Sequence, residues 1–148
     1  MSLQFPNSDF EQLRRHAEET YPAECCGVLL GEVIGEDRRV RRVVPCTNTR
    51  TDSPHCRYEI DPVELVRIQR EARGQGLEII GFYHSHPDHP PHWSETDLRD
   101  AHWIGCSYVI TSVEHGKARE TRSFLLTGTR EEDKVFVEEH VIVGSRNT

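Results

Sequence analysis

Leu77-Glu78-Ile79-Ile80-Gly81-Phe82-Tyr83-His84-Ser85-His86-Pro87 is the stretch on which the architecture turns. Residues 77–84 are dense in Ile, Phe and Tyr, side chains that suit a pleated, buried surface, so the segment reads as a strand. In an extended chain residues i and i+2 face the same side, so His84 and His86 present their imidazoles to one point while Ser85 points away. Pro87 has no N–H to give a sheet partner, so the chain is expected to leave the sheet there, with a cleft at the strand end. The window from Pro87 to Trp93 holds three prolines and two further histidines, His89 and His92, and reads as a loop. Ser94 then opens a short helix to about His102, and Asp97, three residues on, shares its face.

Working outward, Ser8 to Thr20 has helical spacing of Phe10, Leu13 and Ala17, with Ser8 and Glu11 as a capping-box pair. Cys25 to Val33 and Arg38 to Val44 form two strands joined by the turn residues Gly35-Glu36-Asp37, hence a hairpin. Pro45 to His55 is a loop and Tyr58 to Ile60 a short strand. Asp61 caps a helix with Pro62 at its first position, and Leu65, Ile68 and Ala72 line its buried face. Ser107 to Thr111, Ala118 to Leu126 and Lys134 to Val143 complete the strands. The order predicts one α+β domain, helices packed on a mostly antiparallel sheet.

Two imidazoles and a carboxylate suit a tetrahedral catalytic zinc, three protein ligands leaving one position open. Each part also has an ordinary reading. Exposed His-x-His pairs are common, Ser94-x-x-Asp97 is a helix N-cap box, and a lone glutamate before an apolar strand carries no information. Their coincidence at these spacings points to a metal. Glu24, in Pro22-Ala23-Glu24-Cys25-Cys26-Gly27, is the candidate general base, yet sixty residues separate it from His84 and spacing alone does not bring it to the site. If its strand neighbours that of His84, its carboxylate can take a proton from water and return it to a leaving amine.

Glu24 with His84-Ser85-His86, seven residues, Ser94, two residues and Asp97 resembles the signature of the JAMM (MPN-plus, Mov34/MPN/PAD-1) metalloproteases. Pro22-x-Glu24-x-Cys26-Gly27 and the Asn48…Tyr58-x-Ile60-Asp61-Pro62 stretch are similar to the small stand-alone bacterial members. The resemblance implies a single MPN domain over residues 1–148, core about 8–143, with a layered architecture like that of cytidine deaminases. It implies one Zn2+ per chain on His84, His86 and Asp97, with Glu24 as base and Ser94 hydrogen-bonding the water or the oxyanion. Pro87 and Trp93 would shape the site, Trp93 by packing beneath it. His89 and His92 are read as surface or substrate-groove residues, with extra metal ligands as the alternative. The implied reaction is hydrolysis of a peptide or isopeptide bond after the C-terminal glycine of a ubiquitin-like protein, in bacterial members a sulfur carrier ending in Gly-Gly.

Composition bounds the alternatives. With 18 Lys+Arg against 25 Asp+Glu the net charge is −7, which disfavours a nucleic-acid partner. The local cluster Arg38-Arg39 and Arg41-Arg42 alternates with valines, as on a solvated strand edge. Five cysteines without CxxC spacing read as reduced thiols of a cytoplasmic protein, Cys25 and Cys26 facing opposite sides of a strand. The N-terminus has no signal-peptide pattern, and no apolar run reaches the ~20 residues of a membrane helix. A catalytically silent MPN scaffold is the first competing function; a zinc hydrolase acting on nucleic acid is the second, although the PCxxC pair of zinc deaminases is absent. The carrier, the released group and the choice between monomer and homodimer stay open.

Overall fold

The computed structural model describes residues 1–50 and 57–144. The elements in order are β1 (Ser2–Phe5), α1 (Asn7–Thr20), β2 (Cys26–Ile34), β3 (Asp37–Cys46), α2 (Pro62–Gly74), β4 (Glu78–Pro87), α3 (Glu95–Asp100), β5 (Ser107–Glu114), β6 (Lys117–Thr127) and β7 (Val135–Val143). In place of an open layer, the strands close into a barrel in the order β1-β3-β2-β4-β5-β6-β7. Four pairings are antiparallel, while β1 runs parallel to both β3 and β7, and β4 parallel to β5. No helix among the described residues is long and apolar enough to cross a membrane.

Strand alternation splits the apolar residues between two cores. One gathers Leu3, Phe5, Leu29, Val40, Ile80, Tyr83 and Val109 around Leu13 and Ala17 of α1. The other sets Val28, Leu30, Phe82, Tyr108 and Leu126 against Ile68 and Ala72 of α2. Cys25 belongs to the first and Cys26 to the second, as expected for neighbours in an extended chain. Arg41 of the basic cluster pairs with Glu32, and Arg38 reaches the Gly105 carbonyl at 2.8 Å.

Three expectations need correction. The β1 strand was not anticipated; Leu3 and Phe5 alternate over only four residues and its partners, residues 37–39 and 140–143, are remote. The Ser8–Glu11 capping box does not form, because the N-cap falls two residues earlier, on Pro6, with no side-chain cap. Tyr58 to Ile60 is not a strand: Glu59 is held instead by the Asn48 side chain (3.1 Å) and by the Thr49 N–H (2.9 Å). The part of the expected loop at 51–55 lies outside the described residues.

Candidate metal centre

Two strands and one short helix build the site. Strand β4 runs three residues further than the sequence pattern suggested, so that His86 and Pro87 are still paired with Ser112 and Val113 of β5. The chain turns at Asp88, whose φ of 58° is fixed by three bonds: its N–H donates to Val113 O (2.6 Å) and its carboxylate accepts Tyr21 Oη (2.6 Å) and the His115 N–H (2.9 Å). Ser85 does point away from its neighbours, accepting the Cys25 N–H at 2.8 Å.

The register explains how Glu24 arrives. Cys26 pairs with His84 across the antiparallel β2–β4 ladder, so extending that register two residues sets Glu24 opposite His86, on the same face. Its backbone is braced by Asn48, whose amide donates to the Glu24 carbonyl at 3.3 Å. The Glu24 side chain is 4 % exposed, and its Oε1 has no hydrogen-bond partner among the described residues. Burial first, and then the neighbouring Asp97 carboxylate, push its pKa up to about 9.

At the centre His84 Nε2 and His86 Nε2 lie 3.3 Å apart, and the two oxygens of Asp97 approach them at 3.3 and 3.2 Å. A tetrahedron whose vertices are about 2.0–2.1 Å from its centre, the distance of N and O donors from zinc, has edges of about 3.3 Å. The two imidazole nitrogens are therefore spaced as two vertices around a zinc-sized ion, and one Asp97 oxygen faces each of them. The His86 Nδ1–H donates to Pro90 O at 2.9 Å, which leaves Nε2 as the lone-pair nitrogen. Tyr58 stacks on His84 with ring centroids 4.5 Å apart, and burial holds the His84 pKa below its ordinary value, which favours the neutral, ligating form. Burial alone would raise the Asp97 pKa; the adjacent His84 and His86 rings and the Ser94 N–H outweigh it and hold the carboxyl far below its usual range.

Ser94 is the N-cap of α3. Its Oγ accepts the Asp97 N–H (3.0 Å) while Asp97 Oδ2 accepts the Ser94 N–H (2.9 Å), so the cap reading and the proximity to the site hold together. Trp93 does not lie beneath the site; it is 37 % exposed and rests on Phe136 of β7 at 5.5 Å. His89 and His92 are exposed and outside the donor group formed by His84, His86 and Asp97. Sequence reasoning named Asn48 and Tyr58 only as part of a resemblance; their roles beside Glu24 and His84 depend on a loop path that periodicity does not encode. Next to the site, Tyr58, Phe82, Trp103, Tyr108, Arg57 and Asp100 are among the residues lining a cleft of about 350 Å³.

Comparison with known proteins gives the family of the chain. The family described as prokaryotic homologs of the JAB domain matches residues 6–127. A Haloferax volcanii protein named desampylase is 39 % identical over 108 residues, 73 % of this chain and 76 % of that one. A probable TtuB-protein conjugate cleaving protease of Thermus thermophilus is 32 % identical over 84 % of this chain and 76 % of its own. The CysO-cysteine peptidase of Mycobacterium tuberculosis is 31 % identical over 84 % of this chain and 83 % of its own. A solution structure of a Desulfitobacterium hafniense protein superposes with a TM-score of 0.81 at 33 % identity, covering 95 % of this chain and 92 % of that one.

Proposed function

The chain belongs to the prokaryotic JAB-domain (JAMM) family, and from that membership we propose that it is a zinc-dependent peptidase that hydrolyses the bond after the C-terminal glycine of a ubiquitin-like, sulfur-carrier protein. The observation that carries the reading is the convergence of His84 Nε2, His86 Nε2 and an Asp97 carboxylate oxygen, one donor atom from each residue, within 4.8 Å of one another. A catalytically silent scaffold has no use for such a set. The relatives named for conjugate cleavage and for CysO-cysteine support the substrate class.

In this reading His84, His86 and Asp97 hold one zinc ion per chain. When bound, the ion supplies Lewis acidity, polarising a carbonyl and making water more acidic near neutral pH. Glu24, whose carboxyl a bound cation would keep ionised, takes the proton of the attacking water at its unpartnered Oε1 as the water oxygen adds to the carbonyl carbon. It then delivers that proton to the amine as the C–N bond breaks. The Ser94 hydroxyl, which already accepts from Asp97 N–H, keeps its own hydrogen free to donate to the developing oxyanion. A tail ending in Gly-Gly lacks side chains that would hold it away from buried imidazoles, and the adjoining cleft accommodates the residues before it.

Carrier proteins ending in Gly-Gly, joined to cysteine or to a lysine side chain, would be incubated with the zinc-loaded protein and the products weighed by mass spectrometry. Cleavage directly after the last glycine, abolished by chelation and restored by zinc, is the expected result. Stoichiometric zinc without cleavage of any such conjugate would refute the substrate class, and zinc-dependent nucleic-acid cleavage would replace it.

A further inference from the structure

The helix that delivers Asp97 is an improbable platform by itself. It has six residues, none of them buried, and a helix that short is not stable alone in water. Leu98 rests against the second core, and the two ends fix the rest of its placement. The N-terminal end is tied by the Ser94–Asp97 capping box, in which the carboxylate itself takes part. Asp97 therefore cannot move relative to the helix start, and the orientation of its oxygens follows the helix as a whole.

The C-terminal end is held by a buried cation. Lys134, just before β7, has a side chain only 6 % exposed. Its ammonium donates to the carbonyls of Ala101 (2.6 Å) and Arg99 (3.2 Å) and pairs with Glu131 at 2.6 Å. An ammonium has three protons, and here three oxygens receive them. Glu131 in turn faces His102 Nδ1 at 3.1 Å. Burying a charge is costly unless it is paired and hydrogen-bonded, so this lysine is built in at some expense. Positive charge also suits the carbonyl end of a helix. The second tie at this end, Arg57 to Asp100 at 2.8 Å, is partly exposed and contributes less.

We propose that Lys134 is a positioning residue for the metal centre: by locking the last carbonyls of α3 it sets the angle at which Asp97 meets His84 and His86. It lies beyond the span 6–127 matched by the family. The inference rests on the reading of His84, His86 and Asp97 as metal ligands.

The test is zinc affinity, measured by competition with a chromophoric chelator, for the parent protein and for Lys134→Met, Lys134→Arg and Glu131→Gln. Thermal midpoints of the chelator-treated proteins and visible spectra of the cobalt-loaded ones are recorded in parallel. Loss of an outer partner of a metal ligand typically weakens binding by about 10- to 100-fold. That loss is expected for Lys134→Met, with an altered cobalt spectrum, while Lys134→Arg restores most of the affinity. Glu131→Gln, which only loosens the exposed counter-ion, should cost about two- to fivefold, the range of a surface ion pair. A Lys134→Met protein with parental zinc affinity and cobalt spectrum, whatever its thermal midpoint, overturns the proposal. If that variant does not fold, unchanged affinity in Glu131→Gln overturns it instead. A parent that binds no zinc refutes the ligand reading itself, a result separable from either of these.

Discussion

Replacing Glu24 by glutamine should make the chelator-treated protein more stable and the zinc-loaded one inactive. The carboxyl is buried, its Oε1 is unpartnered, and its pKa is raised from an ordinary 4.5 to about 9. Because the folded-state pKa lies above the unfolded one, the associated stability is fully present below pH 4.5 and is lost as pH rises toward 9. At pH 7 the unfolded carboxyl has gained about 2.5 pH units of ionisation that the folded one resists; at about 1.36 kcal/mol per unit this is up to about 3 kcal/mol. Glutamine matches the protonated form in shape and does not ionise, so the variant should gain that amount at pH 7. For a chain of this size the gain is roughly 5–10 °C in thermal midpoint. At pH 5 the gap should shrink below about 1 kcal/mol. Urea unfolding in chelator at pH 5, 7 and 8.5 measures it. A gap that does not widen with pH, or a less stable variant at pH 7, would refute the assignment of Glu24 as a buried, strained acid. Loss of a general base typically costs 10²- to 10⁴-fold in rate, so a Glu24→Gln enzyme of parental activity would remove it from the mechanism.

Asp97→Asn keeps an acceptor for the Ser94 N–H but exchanges the anionic donor for a neutral one; elemental analysis should find well under one zinc per chain in a protein that still folds. Gly27→Ala places a methyl 2.2 Å from the buried Tyr83 ring, which is pinned by His16 at 2.7 Å, so a destabilisation of about 1–3 kcal/mol is expected in urea, and a change under about 0.5 kcal/mol would contradict the packing. Burial pushes the thiols of Cys25, Cys46 and Cys106 up to about 12 and that of Cys26 higher still. At pH 8 none of the four should be alkylated before unfolding, as read by peptide mapping; labelling of any one in the native state would show that its site opens.

The candidate metal donors were legible because each obeys a local period. His84 and His86 share a face by the two-residue repeat of a strand, and Ser94 with Asp97 by helix capping chemistry. Glu24 was legible as a residue but not as a neighbour. Its position follows from the pairing of Cys26 with His84, a register set by which faces of β2 and β4 are buried. The barrel was hidden for a related reason, since a four-residue strand such as β1 is specified by its partners more than by itself. Lys134 read as the first residue of a strand; that its ammonium turns back to Ala101 depends on where α3 ends, and no periodicity carries that.

Because β1 lies between β3 and β7, the barrel cannot close before β7 has been made. Ser2–Phe5 is made more than a hundred positions before its partner at residues 140–143. Closure is a late, long-range event of the kind that folds slowly. Lys134 arrives with that same final strand. A partly synthesised chain would thus hold His84, His86 and Asp97 without the cation behind α3. On the reading above, the donors of a hydrolase's metal are made well before the residue that fixes their angle.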